Sequence, residues 1–367
     1  MPYALKPPFR ADHVGSLLRP APLQEARAKA KAGEIDAQTL RAVEDRCIRE
    51  VVAKQEAIGL QSVTDGEFRR DWWHIDFLKG FDGVDAVADP RTPSFQGADE
   101  TVPVLTVTGR VRRTRPVMLA PFRFLKSVTT RTAKLCIPSP SMLHMRGGRP
   151  AITREAYPDL DAFWADAARA YREEVRDLAA AGCTYLQLDD VSFAYLCDEK
   201  IRTGYLERGD DPRRAPRVYA DTINAALRDR PAGLTVTIHT CRGNFKSTWM
   251  ASGGYEPVAE VAFGALDVDG FFLEYDSERA GSFEPLRFVP KGKKVVLGLV
   301  TSKSARMEDK GALKRRVDEA AKFVPLENLC LSPQCGFSST HHGNKLTEDD
   351  QWRKLELIVE VAREVWG

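Results

Sequence analysis

The feature that most restricts the fold of this chain is a regular exchange between short apolar runs and longer stretches with helical spacing. Eight runs read as strands: residues 12–18 (DHVGSLL), 62–68 (SVTDGEF), 132–143, 184–190, 234–241, 270–276, 294–302 and 328–337. Helical patterns lie between most of them. The clearest spans 159–182, with apolar residues at helical spacing and a glycine at its end. The last, 347–366, opens on Thr347 and a group of acids suited to a helix N-terminus. Strand–helix alternation implies parallel pairing. Eight strands in 367 residues favour a closed (β/α)8 TIM barrel over an open doubly wound sheet. The segment 84–120 breaks the alternation. It reads as a β-hairpin turning at Thr108-Gly109, inserted after the second strand. Without a repeat, a low-complexity tract or a linker, residues 1–367 are expected to form one barrel domain.

In such a barrel the active site forms where the strands end. The first strand delivers Gly15 and Ser16, and the second Asp65, Gly66 and Glu67. The third and fourth deliver Ser139 and Ser141, then Asp189 and Asp190. The fifth ends on His239 and Cys241, the sixth on Glu274 and Asp276. The seventh delivers Thr301, Ser302 and Lys303, and the eighth Cys335. The stretch TIHTCRG (237–243) is the most pointed of these. Residues i and i+2 of a strand face the same way, so His239 and Cys241 can address one point in the barrel mouth. Glu274 stands about one strand spacing (~5 Å) away, and Cys335 approaches from the last strand. Two thiolates, an imidazole and a carboxylate suit tetrahedral zinc, which thiolate softness favours over copper. The alternative is a satisfied core histidine beside cysteines that serve as packing.

Composition bounds the rest. The seven cysteines are odd in number and irregularly spaced, which argues for reduced thiols rather than a disulfide framework. A formal net charge of +2 points to no nucleic acid. The N-terminal MPYALKPPFRADH lacks a signal-peptide core, and no long apolar run exists, so a soluble, cytoplasmic protein without membrane contact is expected.

The motifs GSLLRP, DGEFRRD, LQLDD, HTCRGNF, FFLEYDSERAGSFEPL and SPQCGFSST together resemble the catalytic barrel of cobalamin-independent methionine synthases. The likeness spans nearly the whole chain and is closest to short single-barrel members of that superfamily. It implies that His239, Cys241, Glu274 and Cys335 ligate Zn2+, and that Ser16, Glu67 and Asp189 hold the amino-acid part of a thiol substrate such as homocysteine. The chemistry implied is transfer of a methyl or other alkyl group to a zinc-activated thiolate. Glu274 could swing away as the thiolate enters. Glu67 and Asp189 could pair with an ammonium group, the bland reading being an ion pair with Arg69 or Arg19. Full-length synthases add a duplicated N-terminal barrel and place a histidine after the seventh strand. Here Lys303 stands in that slot, as a candidate acid. The donor is therefore open between a folate, a methylcorrinoid and an activated carbon such as an epoxide.

Weaker signals are Trp72-Trp73 as a substrate wall, His341-His342 near the mouth and His13 pointing inward. The RVRRTR run (110–115) reads as the solvated face of the hairpin. Two other classes compete: a zinc barrel that senses or stores a thiol, and a metal-free enzyme with Cys241 or Cys335 as nucleophile and His239 as base.

Overall fold

The computed structural model describes residues 6–87 and 102–367. Among these, the strands are β1 (Ser62–Val63), β2 (Asp82–Val87), β3 (Val104–Arg112), β4 (Thr132–Pro138), β5 (Tyr185–Asp190), β6 (Thr235–Thr240), β7 (Gly270–Glu274), β8 (Lys294–Val300) and β9 (Leu329–Pro333). Seven of them form one parallel sheet in the order β1-β4-β5-β6-β7-β8-β9. Their apolar runs are buried along almost their full length, as parallel strands covered on both faces must be.

The sheet curls. Ala11 makes a parallel bridge to Leu331 of β9, with Asp12 N–H donating to Leu331 O at 3.0 Å and Leu331 N–H donating to Arg10 O at 2.8 Å. On its other side, Asp12 accepts from Ser62 Oγ of β1 at 3.1 Å. Residues 10–12 thus lie between the first and last strands.

The expected first strand, 12–18, is corrected to this single bridge. The ladder fails because Gly15 turns the chain with φ +134, and a Cβ there would stand 2.6 Å from Cys136 Sγ. The expected second strand shrinks to β1, because Gly66 and Glu67 both adopt positive φ (67 and 61) and turn the chain inward.

The hairpin is also corrected. Thr108 and Gly109 lie inside the continuous strand β3, which pairs antiparallel with β2. Gly109 marks a close backbone approach instead of a turn: a Cβ on Gly83 would meet its carbonyl group at 2.7 Å, where the register shifts. The middle of the insertion, 88–101, lies outside the described residues. Nor is RVRRTR only a solvated face. Arg110 pairs with Asp166 at 2.7 Å, and Arg113 is drawn against Glu174 and Asp177, tying β3 to the helix Leu160–Ala180.

That helix starts where Asp159 accepts from the Asp161 and Ala162 amides, and it buries Phe163, Ala167, Tyr171, Val175 and Leu178. The terminal helix Glu348–Trp366 opens on a capping box between Thr347 and Asp350. No helix among the described residues is long and apolar enough to cross a membrane.

Candidate active site

At the carboxyl ends of the strands, β6 delivers His239 and, one residue past its end, Cys241. Cys241 N–H still follows the sheet, donating to Asp190 O at 3.0 Å. Thr240, between them, faces the other way and meets the Tyr255 hydroxyl at 3.2 Å. Cys335 arrives from the segment after β9, its sulfur 3.3 Å from Cys241 Sγ. The ligand atoms of His239, Cys241 and Cys335 all lie within 4.8 Å of one another, and all three residues are buried. Neither ring nitrogen of His239 meets an oxygen or nitrogen partner among the described residues.

The two thiols share a proton. The Cys241–Cys335 hydrogen bond, then burial, push Cys241 up, while the same bond together with His239 holds Cys335 well below the usual thiol range. Burial alone would lower His239, but the adjacent Cys335 sulfur raises it on balance.

Glu274, also fully buried, stands apart from this group. Arg279 pairs with its Oε1, and the Arg242 backbone N–H donates to Oε2 at 2.9 Å. Burial would raise its pKa, yet Lys303, Arg279 and Arg242 outweigh this and lower it. Lys303 Nζ is buried with no hydrogen-bond partner among the described residues. Burial would lower that ammonium, but Glu274, the two thiols and Asp276 raise it.

Beside the thiol–imidazole cluster is a partly open cavity lined by side chains from several strand ends. Ser16, Glu67 and Asp189 line it together with His239, Cys241 and Cys335. Burial raises Glu67 to about 7, with Asp189 adding to the effect against Arg70. Burial likewise raises Asp189 to about 6, against His239 and the hydrogen bond from Gln187 Nε2 at 2.6 Å.

The arginines divide differently from expectation. Arg69 turns outward to Glu44 and Asp45, at 2.9 and 2.5 Å. Arg19 meets Glu67 at its backbone carbonyl, at 3.0 Å, and donates as well to Ser338, Thr340 and the Arg70 carbonyl. Arg70, absent from the sequence reading, faces the Glu67 carboxylate at 3.5 Å. Glu67, Cys136 and Asp189 form a second tight group. The Arg70 guanidinium beside it disfavours a cation, and Cys136 already donates to Val14 O at 3.1 Å.

Asp190 is not available to a ligand. Ser139 and Ser141 bond to one of its oxygens, and the other accepts from Ser192 Oγ at 2.7 Å and Phe193 N–H at 3.2 Å. Trp73 lines the cavity, whereas Trp72 stacks on Phe245 at 6.0 Å with His341 and His342 against its edge. His13 does not line the cavity; it is buried with both ring nitrogens unpartnered among the described residues. Tyr195, Arg146 and Asn244 complete the wall and were missed. Nothing local distinguishes them: Tyr195 ends the short helix Ser192–Tyr195, and Arg146 and Asn244 lie in connecting segments whose paths are set by packing.

The family described as the catalytic domain of cobalamin-independent synthases matches residues 9–364. The chain is 48% identical over 363 residues to the uncharacterized protein YxjH of Bacillus subtilis, covering 98% of this chain and 96% of that one. A candidate vitamin-B12 independent methionine synthase from Listeria monocytogenes has a crystal structure similar at TM-score 0.80, with 41% identity and 98% of each chain covered. The 5-methyltetrahydropteroyltriglutamate–homocysteine methyltransferase of Thermotoga petrophila is 23% identical over 336 residues, which are 91% of this chain but 42% of that enzyme.

Proposed function

The chain belongs to the family of cobalamin-independent synthase catalytic domains, and from that premise we propose that it is a zinc-dependent transferase moving a methyl or other alkyl group onto a homocysteine-like thiol. The fold in this reading is a single (β/α)8 barrel domain, closed where residues 10–12 bridge β9. One observation supports the activity above all: two thiols and a buried imidazole converge within 4.8 Å at the wall of a cavity that also carries two buried acids.

That donor set fits zinc, since a buried imidazole whose nitrogens meet no oxygen or nitrogen partner among the described residues, beside a close pair of thiols, supplies the ligand types zinc takes. His239, Cys241 and Cys335 would hold the ion, with Glu274 as the fourth candidate. When bound, zinc supplies a Lewis acid that lets a substrate thiol ionise near neutral pH. Glu67 and Asp189 bind and orient the substrate ammonium, and Ser16 borders the same space. Arg70 limits the charge that accumulates between the two acids. Lys303 contributes a fixed positive charge beside the thiolates.

The test is metal content. Purified protein should hold about one zinc per chain, and Cys241→Ser or Cys335→Ser should lose most of it, because a hydroxyl is a far poorer ligand than a thiolate. Full zinc retention in both variants would refute the site. Metal-free turnover abolished by the same variants would instead favour a cysteine nucleophile.

A further inference from the structure

Gln187 lies within β5, two positions before Asp189, so the two side chains share a face of the strand. It is fully buried and does not line the cavity. Its Nε2 donates twice, to Asp189 Oδ1 at 2.6 Å and to Val14 O at 2.7 Å. Both neighbours are acceptors, so the amide has one orientation: flipped, its oxygen would face two further oxygens. Val14 O also accepts from Cys136 Sγ at 3.1 Å, and Cys136 is the register partner of Gln187 on β4. Val14 opens the turn that Gly15 makes with φ +134, and Ser16 beyond it lines the cavity. Glu67 packs against the same turn, since a Cβ on Gly15 would stand 3.2 Å from its Oε1. One amide therefore joins the acid of β5 to the turn behind the other acid. Gln187 engages Oδ1 of Asp189, and the carboxylate still borders the cavity. The amide is not there for its own stability: its Oε1 is buried without a hydrogen-bond partner among the described residues, which costs what an apolar side chain would not.

We propose that Gln187 is a positioning residue for the thiol acceptor: it holds the Asp189 carboxylate and the Val14–Ser16 turn in one geometry, so that the subsite for the acceptor's ammonium group is formed before the acceptor enters. A carboxylate at a strand end otherwise turns about two side-chain bonds, and ordering it on binding weakens affinity. The bond from Gln187 removes that loss in advance. Gln187 itself touches no substrate, and the thiol–imidazole cluster is placed by β6 and the segment after β9. Its effect is therefore confined to acceptors that carry an amine. The assignment rests on the reading of Glu67 and Asp189 as the ammonium-binding acids, and adds the group that holds them in register.

The experiment is isothermal titration of the full chain with two thiols: homocysteine, and 4-mercaptobutyrate, which is homocysteine without its amine. The wild type should bind homocysteine more tightly. Gln187→Met keeps the length of the side chain and removes both donors. It should weaken homocysteine about tenfold or more, the scale of one hydrogen bond to a charged group, and leave 4-mercaptobutyrate unchanged. Gln187→Asn keeps an amide that falls one methylene short of spanning both acceptors. It should lose affinity in the same direction, and it carries the test if the methionine variant does not fold. In turnover the loss should appear in the KM for homocysteine, with kcat retained at saturation. A purely structural role would weaken both thiols alike. That outcome, or unchanged homocysteine affinity in both variants, would overturn the assignment and leave the acceptor site standing. A wild type that does not discriminate between the two thiols would remove the ammonium reading itself, and the assignment with it.

Discussion

Glu67 is held under opposing demands. Its backbone is left-handed at φ 61, a conformation costing about 1–3 kcal/mol in a non-glycine residue, and its carboxyl is buried beside Asp189. The raised values fix the sign of the pH effects. A substrate ammonium needs ionised acids, so affinity for homocysteine should fall as pH drops from 8 through about 7 and then about 6, the values to which Glu67 and Asp189 are raised. Glu67→Gln and Asp189→Asn should keep the metal and weaken acceptor binding by about 2–4 kcal/mol at pH 8. Glu67→Gln should also flatten the upper part of the pH profile. The unliganded protein responds oppositely. Unfolded, Glu67 ionises near its ordinary 4.5; folded, it keeps its proton to about 7, so its contribution to stability falls as pH rises between them. Glu67→Gln should therefore raise the thermal midpoint at pH 8. Calorimetric titration and melting curves check both; an unchanged acceptor affinity would make the two acids structural. The acids were legible because strand ends collect chemistry. Arg70 was not: in DGEFRRD the adjacent arginines look alike, and only the left-handed turn at Glu67 sends Arg70 inward and Arg69 out.

Among the elements, the inserted antiparallel pair shows where pattern reading fails and why. Thr-Gly within an alternating run has the composition of a turn, but β3 passes straight through it because Gly83 on the partner strand needs a neighbour without a side chain. Likewise a run of arginines on an inserted element suggests solvent until the third dimension sets the helix Leu160–Ala180 beneath it. Glu174 on that helix is fully buried and accepts from the Val117 and Met118 amides as well as from Arg113. Arg113→Met should leave this carboxylate without its counter-charge and cost about 3–5 kcal/mol, measured as a lowered urea midpoint at unchanged slope. A loss below about 1 kcal/mol would place the pair in the class of surface ion pairs. The helices Leu160–Ala180 and Glu348–Trp366, by contrast, were read nearly to the residue, since Asp159 and Thr347 carry their caps within a few positions.

For the molecule as a whole, the proposed transfer raises the question of what delivers the alkyl group. Lys303 occupies the slot after β8 where the synthases are expected to place a histidine, and the acids and thiols around it keep its ammonium protonated. A cation stabilised in that way is a poor proton donor to a leaving nitrogen. With homocysteine fixed, methylcobalamin or an activated alkyl carbon should therefore outpace methyltetrahydrofolate by roughly 100-fold, the typical value of a well-placed general acid. Rapid methionine formation from the folate, lost in Lys303→Ala, would make Lys303 the acid after all. What the sequence by itself determined is whatever backbone periodicity controls: parallel strands alternating with helices, the helix caps, and one strand face that carries both His239 and Cys241. Only the tertiary structure decided which side chains meet. The contact of Cys335 with Cys241 spans 94 positions of sequence, and it forms because the curl of the sheet brings the end of β9 round to the end of β6. The direction of Glu274 was decided in the same way. A strand end leaves a long carboxylate free to turn, and the arginines and lysine packed around it set where it points.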